Sequence, residues 1–384
     1  MSLYRIVLLT VLTHIAYTGS RVAVSLYALA LGASAFTIGI ALALYSALPV
    51  FFSLRAGRWI DRIGPRRPML IATALVTMGS ILPGVFATLA PLFATAMLVG
   101  SMFMLLHIAA TQMVGMHAAH AGKGDEGASR TRSFSTFSMG LSISGFLGPV
   151  IAGYAIDAFG YSRTFLVMAA FPAIGFAILA MTRSATPRRA PGSAATSSRH
   201  LSDLIGTPRL RAVFASSAML STAWDLFTFA VPLYAAGLGL HASTVGNIVG
   251  TFAVATFAVR VVLPRLVSRV SEWRILTVVF VVAGVAYLLF PLSRTALPLY
   301  ALAFVLGLFL GTSQPMVLSL IFSHTPPERA AEAVGLRTTL VNASQTVMPL
   351  AFGAAGAALG MLPVFWLMAA IMAGASWMTA KQIR

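Results

Sequence analysis

The sequence predicts an all-α membrane protein: twelve transmembrane helices in two pseudo-symmetric six-helix halves. Three observations predict it. Of 384 residues, 58% are hydrophobic and 9% charged, with a mean hydropathy of +0.89. Soluble domains carry about 25% charged residues, and a fold surrounded by water cannot hide so much apolar surface, whereas a bilayer solvates it. The apolar residues gather into segments near the roughly 20 residues a spanning helix needs. The chain also repeats itself at a fixed shift of 207 residues.

The twelve segments run near 4–30, 37–55, 68–88, 91–118, 133–156, 162–182, 210–235, 242–263, 273–292, 296–322, 333–358 and 361–380. Turn formers interrupt them at Gly32, at Gly64-Pro65, at Pro91, at Gly160 to Ser162 and at Pro326-Pro327. The first segment has one early basic residue, Arg5, and no small-residue cleavage site after a short apolar stretch. It reads as a retained helix rather than a signal peptide.

Charge placement orients the chain. With the N-terminus inside, all but three of the 26 Lys and Arg residues fall on inner loops or termini, the exceptions being Arg21, Arg163 and Arg294. The inner set includes Arg55 to Arg67, Arg183 to Arg211, Arg260 to Arg274, Arg329 and Arg337. The reverse orientation breaks the positive-inside rule almost everywhere. Both termini are therefore expected on the cytoplasmic side of a multi-pass protein of the cytoplasmic (inner) membrane. The net charge of +17 is then topology and attraction to lipid headgroups, and a dispersed inner rim of this kind excludes nucleic acid as a partner.

Residues 183–209, rich in Pro, Ser, Ala and Arg, read as a cytoplasmic linker. It separates a first half, 1–182, from a second, 210–384. Shifting the chain by 207 sets Tyr27 on Tyr234, Gly32 on Gly239, Gly39 on Gly246, Gly100 on Gly307, His117 on His324 and Arg130 on Arg337. Two homologous halves related by an axis along the membrane normal bind substrate near the midplane and rock about it.

The loop after the second segment reads Gly57-Arg-Trp-Ile-Asp61-Arg62-Ile-Gly64-Pro65-Arg66-Arg67. It resembles the signature of the major facilitator superfamily between helices 2 and 3, a Gly-x-x-x-Asp-Arg-x-Gly pattern with trailing basic residues. Pro65 stands where a basic residue is usual, and the second copy, from Pro264 to Arg269, lacks the Asp. The resemblance covers the whole chain and implies a secondary transporter of a small-molecule substrate. It also implies an inner gate at Asp61 and Arg62, in which Asp61 accepts hydrogen bonds from the start of helix 11 near Gly335 to Arg337. The plainer alternative is that the arginines only fix topology, which does not account for an acid there. The fifth segment resembles the drug/proton antiporters of that superfamily in its small residues, Ser135, Ser144, Gly148, Pro149, Ala152 and Gly153. Glycines and prolines are also frequent in any membrane helix.

Polar side chains at mid-span are costly and point to function. Asp225 is the acidic residue deep in a span, on one face with Ser217, Ser221 and Thr228. Burial disfavours its charge and an approaching Arg21 restores it, so a proton and a substrate would compete for one carboxylate. A static Arg21–Asp225 pair holding the halves together is the competing reading. His107 and His14 are further proton candidates, although a lone His on an apolar helix is more often a hydrogen-bonded core residue. Arg21, Tyr17, Tyr45, Trp224, Phe229, Gln314, Asn342 and Gln345 are expected along the substrate path, through stacking or hydrogen bonds. Each of them also suits plain interhelical packing.

The absence of cysteine rules out disulfides and Cys-based metal sites. His117 and His120 alone make no metal site, and no phosphate-binding loop or clustered acid, base and nucleophile is present. An enzyme is thus not expected, nor is a cofactor or metal. The expectation is a monomeric, proton-coupled exporter exchanging a small organic molecule for protons. Import of an organic anion or sugar-like metabolite is the rival, favoured by Arg21, since exporters of cationic drugs resemble one another in carrying an acid in helix 1. A non-transporting membrane enzyme or signalling protein is the remote alternative.

Overall fold

The structure, a computed structural model, describes residues 2–121, 126–182, 207–267, 271–326 and 329–383. Most of the expected linker lies outside the described residues. So do the side chains of His120, of Arg130 and of the second motif copy from Pro264 to Arg269. Among the described residues every regular element is helical. The twelve α-helices are α1 (Leu3–Ala30), α2 (Ala35–Ile63), α3 (Arg66–Val85), α4 (Leu89–Ala121), α5 (Glu126–Phe159), α6 (Tyr161–Met181), α7 (Pro208–Gly237), α8 (Ala242–Val267), α9 (Glu272–Leu289), α10 (Ala296–His324), α11 (Ala330–Leu359) and α12 (Met361–Ala380). A 3₁₀ turn, Phe290–Leu292, ends the ninth segment at Pro291.

Helices are the outcome hydrocarbon permits, because each backbone N–H and C=O bonds within its own segment. Among the described residues nine helices are long and apolar enough to cross a membrane. Of the other three, α2 contributes a shorter apolar stretch, Ala35–Pro49, while α7 and α11 carry more polar side chains along their length. Several helices also outrun the apolar segments: α2 runs to Ile63 rather than 55, and α5 begins at Glu126 rather than 133. Hydropathy marks where apolar residues stop, whereas Arg, Lys and Glu continue a helix readily.

The described residues divide into two compact units. The first comprises those within 1–33, 40–193 and 241–250, the second those within 34–39, 194–240 and 251–384. In the first unit α1 packs on α4, α5 and α6, while α3 packs on α4 and α6. Ile6, Leu9, Met69, Leu106, Ala109 and Leu179 form its buried core. In the second unit α7 packs on α10, α11 and α12, while α9 packs on α10 and α12. An aromatic core there joins Phe290 and Phe365, stacked at 5.4 Å with planes 4° apart.

The repeat has a physical basis in how each unit turns its chain. Helix α1 stops at Gly32 with φ 78°, its N–H bonding Leu29 O at 2.9 Å and the Ala33 N–H bonding Ala28 O at 2.9 Å. Helix α7 stops the same way at Gly239, φ 77°, with bonds to Ala236 O and from Leu240 N–H to Ala235 O. Both are Schellman ends, which favour a glycine in the left-handed region. A Cβ at Gly100 would strike the Tyr45 backbone, and one at Gly307 the Phe252 backbone, again at a shift of 207.

The shift is not constant into the fifth pair, as the sequence suggested. Pro149 and Gly153 of α5 meet the start of α8 in the way Pro349 and Gly353 of α11 meet the start of α2, and that equivalence runs at 200. Arg337 is thus level with Phe137, and its match to Arg130 is coincidental.

Gly307→Val would force two backbones apart, and overpacking of this kind costs about 1–3 kcal/mol. Purified protein carrying it should melt earlier in detergent. Gly374→Ala, whose added carbon would meet nothing within 4 Å, should melt no earlier than the parent.

Candidate functional site

A cavity of about 290 Å³ opens inside the second unit. Helical spacing builds its walls. Helix α7 contributes Ser217, Leu220, Ser221, Trp224 and Asp225 from one face, and α10 contributes Leu310, Ser313, Gln314 and Val317. Helix α11 contributes Arg337, Val341 and Gln345, four residues apart, and α8 contributes Arg260. Three ionisable groups thus share one cavity with three hydroxyls and two amides.

Asp225 is 3% exposed. Ser344 Oγ donates to its Oδ2 at 2.8 Å, which fixes the carboxyl against α11. Thr228, placed with Asp225 on one face by the sequence, donates to the Asp225 backbone oxygen at 3.1 Å. Trp224 turns its edge to Phe252, ring centroids 4.6 Å apart. Gln314 and Gln345 line the cavity. Phe229 is buried in the core beside Phe352. Asn342 is half-buried on α11 and accepts a bond from Thr346 through its backbone oxygen; neither Phe229 nor Asn342 is among the cavity-lining residues.

Arg260 and Arg337 were read as inner-loop charges, and the structure corrects that reading: both are helical residues whose side chains line the cavity. Position along the chain records which loop a charge is near, not where its side chain points. A signal did exist. Arg260 interrupts an otherwise apolar run, Phe-Ala-Val-Arg-Val-Val-Leu, and Arg337 stands eight residues before Gln345 on one helical face.

The first unit holds a different cluster. His14 Nδ1 and Ser144 Oγ lie 2.7 Å apart, joining α1 to α5. Phe103 packs on both His14 (4.9 Å) and Tyr17 (4.5 Å), whose own rings lie 5.8 Å apart, and His107 tilts against Phe103 and Phe137. The Arg21 guanidinium lies over the rings of Tyr17 and Tyr45, at 5.9 and 5.8 Å, a cation–π arrangement. Tyr45, buried, donates to Ser20 Oγ at 2.9 Å. Gly148 permits this assembly, since a Cβ there would strike Thr18 and Gly19 of α1. Pro149 and Gly153 instead face the first turns of α8. At the end of α5, Asp157 accepts the N–H groups of Ala242 and Ser243 at 3.1 and 2.9 Å, a carboxylate on a helix N-terminus.

In the loop motif, Gln112 Nε2 donates to Asp61 Oδ1 at 2.6 Å, tying α4 to α2. Gly64 turns the chain with φ 80°. Arg66 donates to Thr182 O at 2.7 Å and Leu179 O at 3.3 Å, closing the C-terminal end of α6. Arg67 and Arg62 are exposed. A Cβ added at Gly57 would meet nothing within 4 Å, so close helix approach in the first unit is made at other glycines, Gly100, Gly148 and Gly153 among them. Among the described residues no group of three or more His, Asp and Glu is placed to hold a metal ion.

Three kinds of likeness to known proteins agree. A family model described as Major Facilitator Superfamily matches residues 6–336 and 213–381. The sequence is 25% identical to sugar efflux transporter A of Escherichia coli (strain K12) over 358 residues, covering 91% of this chain and 88% of that one. Among solved structures, the nucleoside transporter NupG superposes with a TM-score of 0.82 at 12% identity, covering 100% of both chains. The peptide transporter POT superposes at 0.79 and 16%, covering 99% and 93%. A bacterial homologue of the lysosomal transporter Spinster superposes at 0.77 and 12%, covering 98% and 95%. At such identities the structures share the fold.

Ser344→Ala removes the donor to Asp225, and hydrogen bonds to charged groups are worth about 1.5–3 kcal/mol. The purified variant should unfold at lower temperature at neutral pH. Restoring a hydroxyl with Ser344→Thr should recover most of the loss.

Proposed function

The chain belongs to the Major Facilitator Superfamily, and on that premise we propose that it exports a small polar organic molecule in exchange for protons, by alternating access. One observation carries the reading: a nearly buried carboxyl, Asp225, opens on a cavity walled by hydroxyls and amides inside a membrane-spanning unit. An ionisable group in that setting marks a transport pathway more often than a staple.

The chemistry follows from what a carboxyl oxygen can hold. Ionised, Asp225 accepts hydrogen bonds from substrate hydroxyls; protonated, it loses acceptor capacity and becomes a donor itself. Proton and substrate are then alternatives at one site, as exchange requires. The likeness to a protein named for sugar efflux supports the outward direction. His14 and His107 are the reserve proton carriers. Residues 1–182 and 210–384 act as the rocking halves, joined by the cytoplasmic linker 183–209, in a monomer of twelve spans. Asp61, with Arg62, serves the inner gate. Arg21, Tyr17 and Tyr45 contribute a second substrate-facing surface.

Liposomes holding purified protein, challenged with neutral, cationic and anionic sugars, test the exchange. Wild type should move protons with at least one compound. Asp225→Asn should bind that compound and lose coupled proton movement by about tenfold or more, as expected when a residue is needed for turnover rather than affinity. Coupling that survives in Asp225→Asn moves the proton to His14 or His107, and no substrate-driven flux from wild type defeats the proposal.

Orientation has its own test, aided by a sequence without cysteine. Ser2→Cys and Gln382→Cys should both react with a membrane-impermeant thiol reagent only after cells are opened. Labelling of either in intact cells would reverse the topology.

A further inference from the structure

We infer that the cavity of the second unit selects solutes carrying one negative charge on a hydroxylated frame, such as sugar acids and hydroxy acids, with Arg260 and Arg337 as the anion's partners. The inference rests on reading that cavity as the substrate site and names what the site prefers.

Charge is the first ground. Among the described residues the cavity-lining ionisable groups are Asp225, Arg260 and Arg337, so one carboxylate and two guanidiniums leave a formal +1 when all are ionised. Inside a membrane protein an uncompensated charge is expensive, and more so at low dielectric. A monoanion brings the site to neutrality, a neutral solute leaves +1, and a cation raises it to +2. The count holds whatever partners Asp225 has in the empty cavity.

Hydrogen bonding is the second ground. Arg337 Nε is enclosed and has no hydrogen-bond partner among the described residues. A buried charged donor left without an acceptor is costly. The planar fork of an arginine matches the two oxygens of a carboxylate, or a phosphate, better than it matches single hydroxyls.

Spacing is the third. Arg337 precedes Ser344, the residue that holds Asp225, by seven positions on α11. At 1.5 Å per residue that is about 10 Å along the helix axis. The acidic group of a solute therefore docks away from Asp225, which keeps the two like charges apart. Ser221, Gln314 and Gln345 lie within the same walls and suit the remaining hydroxyls. A volume of about 290 Å³, at the small end of ligand pockets, fits one ring rather than an oligomer.

Full-length protein in lipid nanodiscs, titrated calorimetrically with D-glucose, D-glucuronate and D-glucosamine, tests the preference. These probes share a frame and differ in charge. Glucuronate should bind about tenfold tighter than glucose or better, the scale of a bidentate charged pair over a neutral contact, with glucosamine weakest. Arg260→Gln and Arg337→Gln should each erase the preference, so that glucuronate and glucose bind the same variant equally, and glucose binding that persists shows the variant is folded. Arg337→Lys should recover part of the preference. Equal affinity for glucose and glucuronate, tightest binding of glucosamine, or no binding of any probe overturns the inference. If Trp224→Ala and Gln314→Ala still weaken the neutral probe, the cavity remains the substrate site and only its charge preference is lost. If no cavity substitution alters any binding, the site reading falls as well.

Discussion

A peptide group in hydrocarbon has no water to bond, and that constraint decides most of this molecule. It makes every described element a helix and leaves side chains as the means of bringing helices together. Where two backbones must approach, the sequence puts glycine: Gly100 against Tyr45 in the first unit, Gly307 against Phe252 in the second. Where a helix must stop, it puts glycine in the left-handed region, at Gly32 and Gly239. The repeat is preserved at these positions because the backbone leaves little choice there.

Backbone likeness does not extend to chemistry. The first unit assembles a His–Phe–Tyr stack and an arginine lying on aromatic rings. The second assembles an acid, two arginines, amides and serine hydroxyls around open space. An Arg21 guanidinium spread over π faces is a cation with its charge partly satisfied by neutral groups. Asp225 accepts a bond from the Ser344 hydroxyl in a wall of polar side chains rather than in an aromatic core. One six-helix plan thus supports two electrostatic environments.

The fold was legible in the sequence because apolar run length is a coarse, additive property, and the ends of α1 and α7 were legible because Gly32 and Gly239 repeat. The cavity-lining Asp225, Gln314 and Gln345 were legible as polar residues because each stands out in an apolar run. Arg260 and Arg337 were misread because hydropathy treats a long basic side chain near a helix end as belonging to the loop, whereas the structure turns both inward. The change of shift from 207 to 200 was hidden for a related reason. An isolated Arg-Thr match at 207 drew attention from the Pro149–Pro349 and Gly153–Gly353 pairs, which carry the packing. Residue identity alone does not say which match bears a contact.

The bonds from Arg66 to Leu179 and Thr182 reach from the start of α3 to the end of α6, across 116 residues of chain in the longer case. Seen from the ribosome, that is a late closure. When the first five helices have entered the membrane the guanidinium still faces solvent, and it finds its carbonyl acceptors only once the sixth helix has been delivered. That arginine becomes, at the end of the half, the clasp that joins its middle to its last turn. The first six helices can therefore close on one another before the seventh is made, and the first unit then waits only for residues 241–250 at the start of α8.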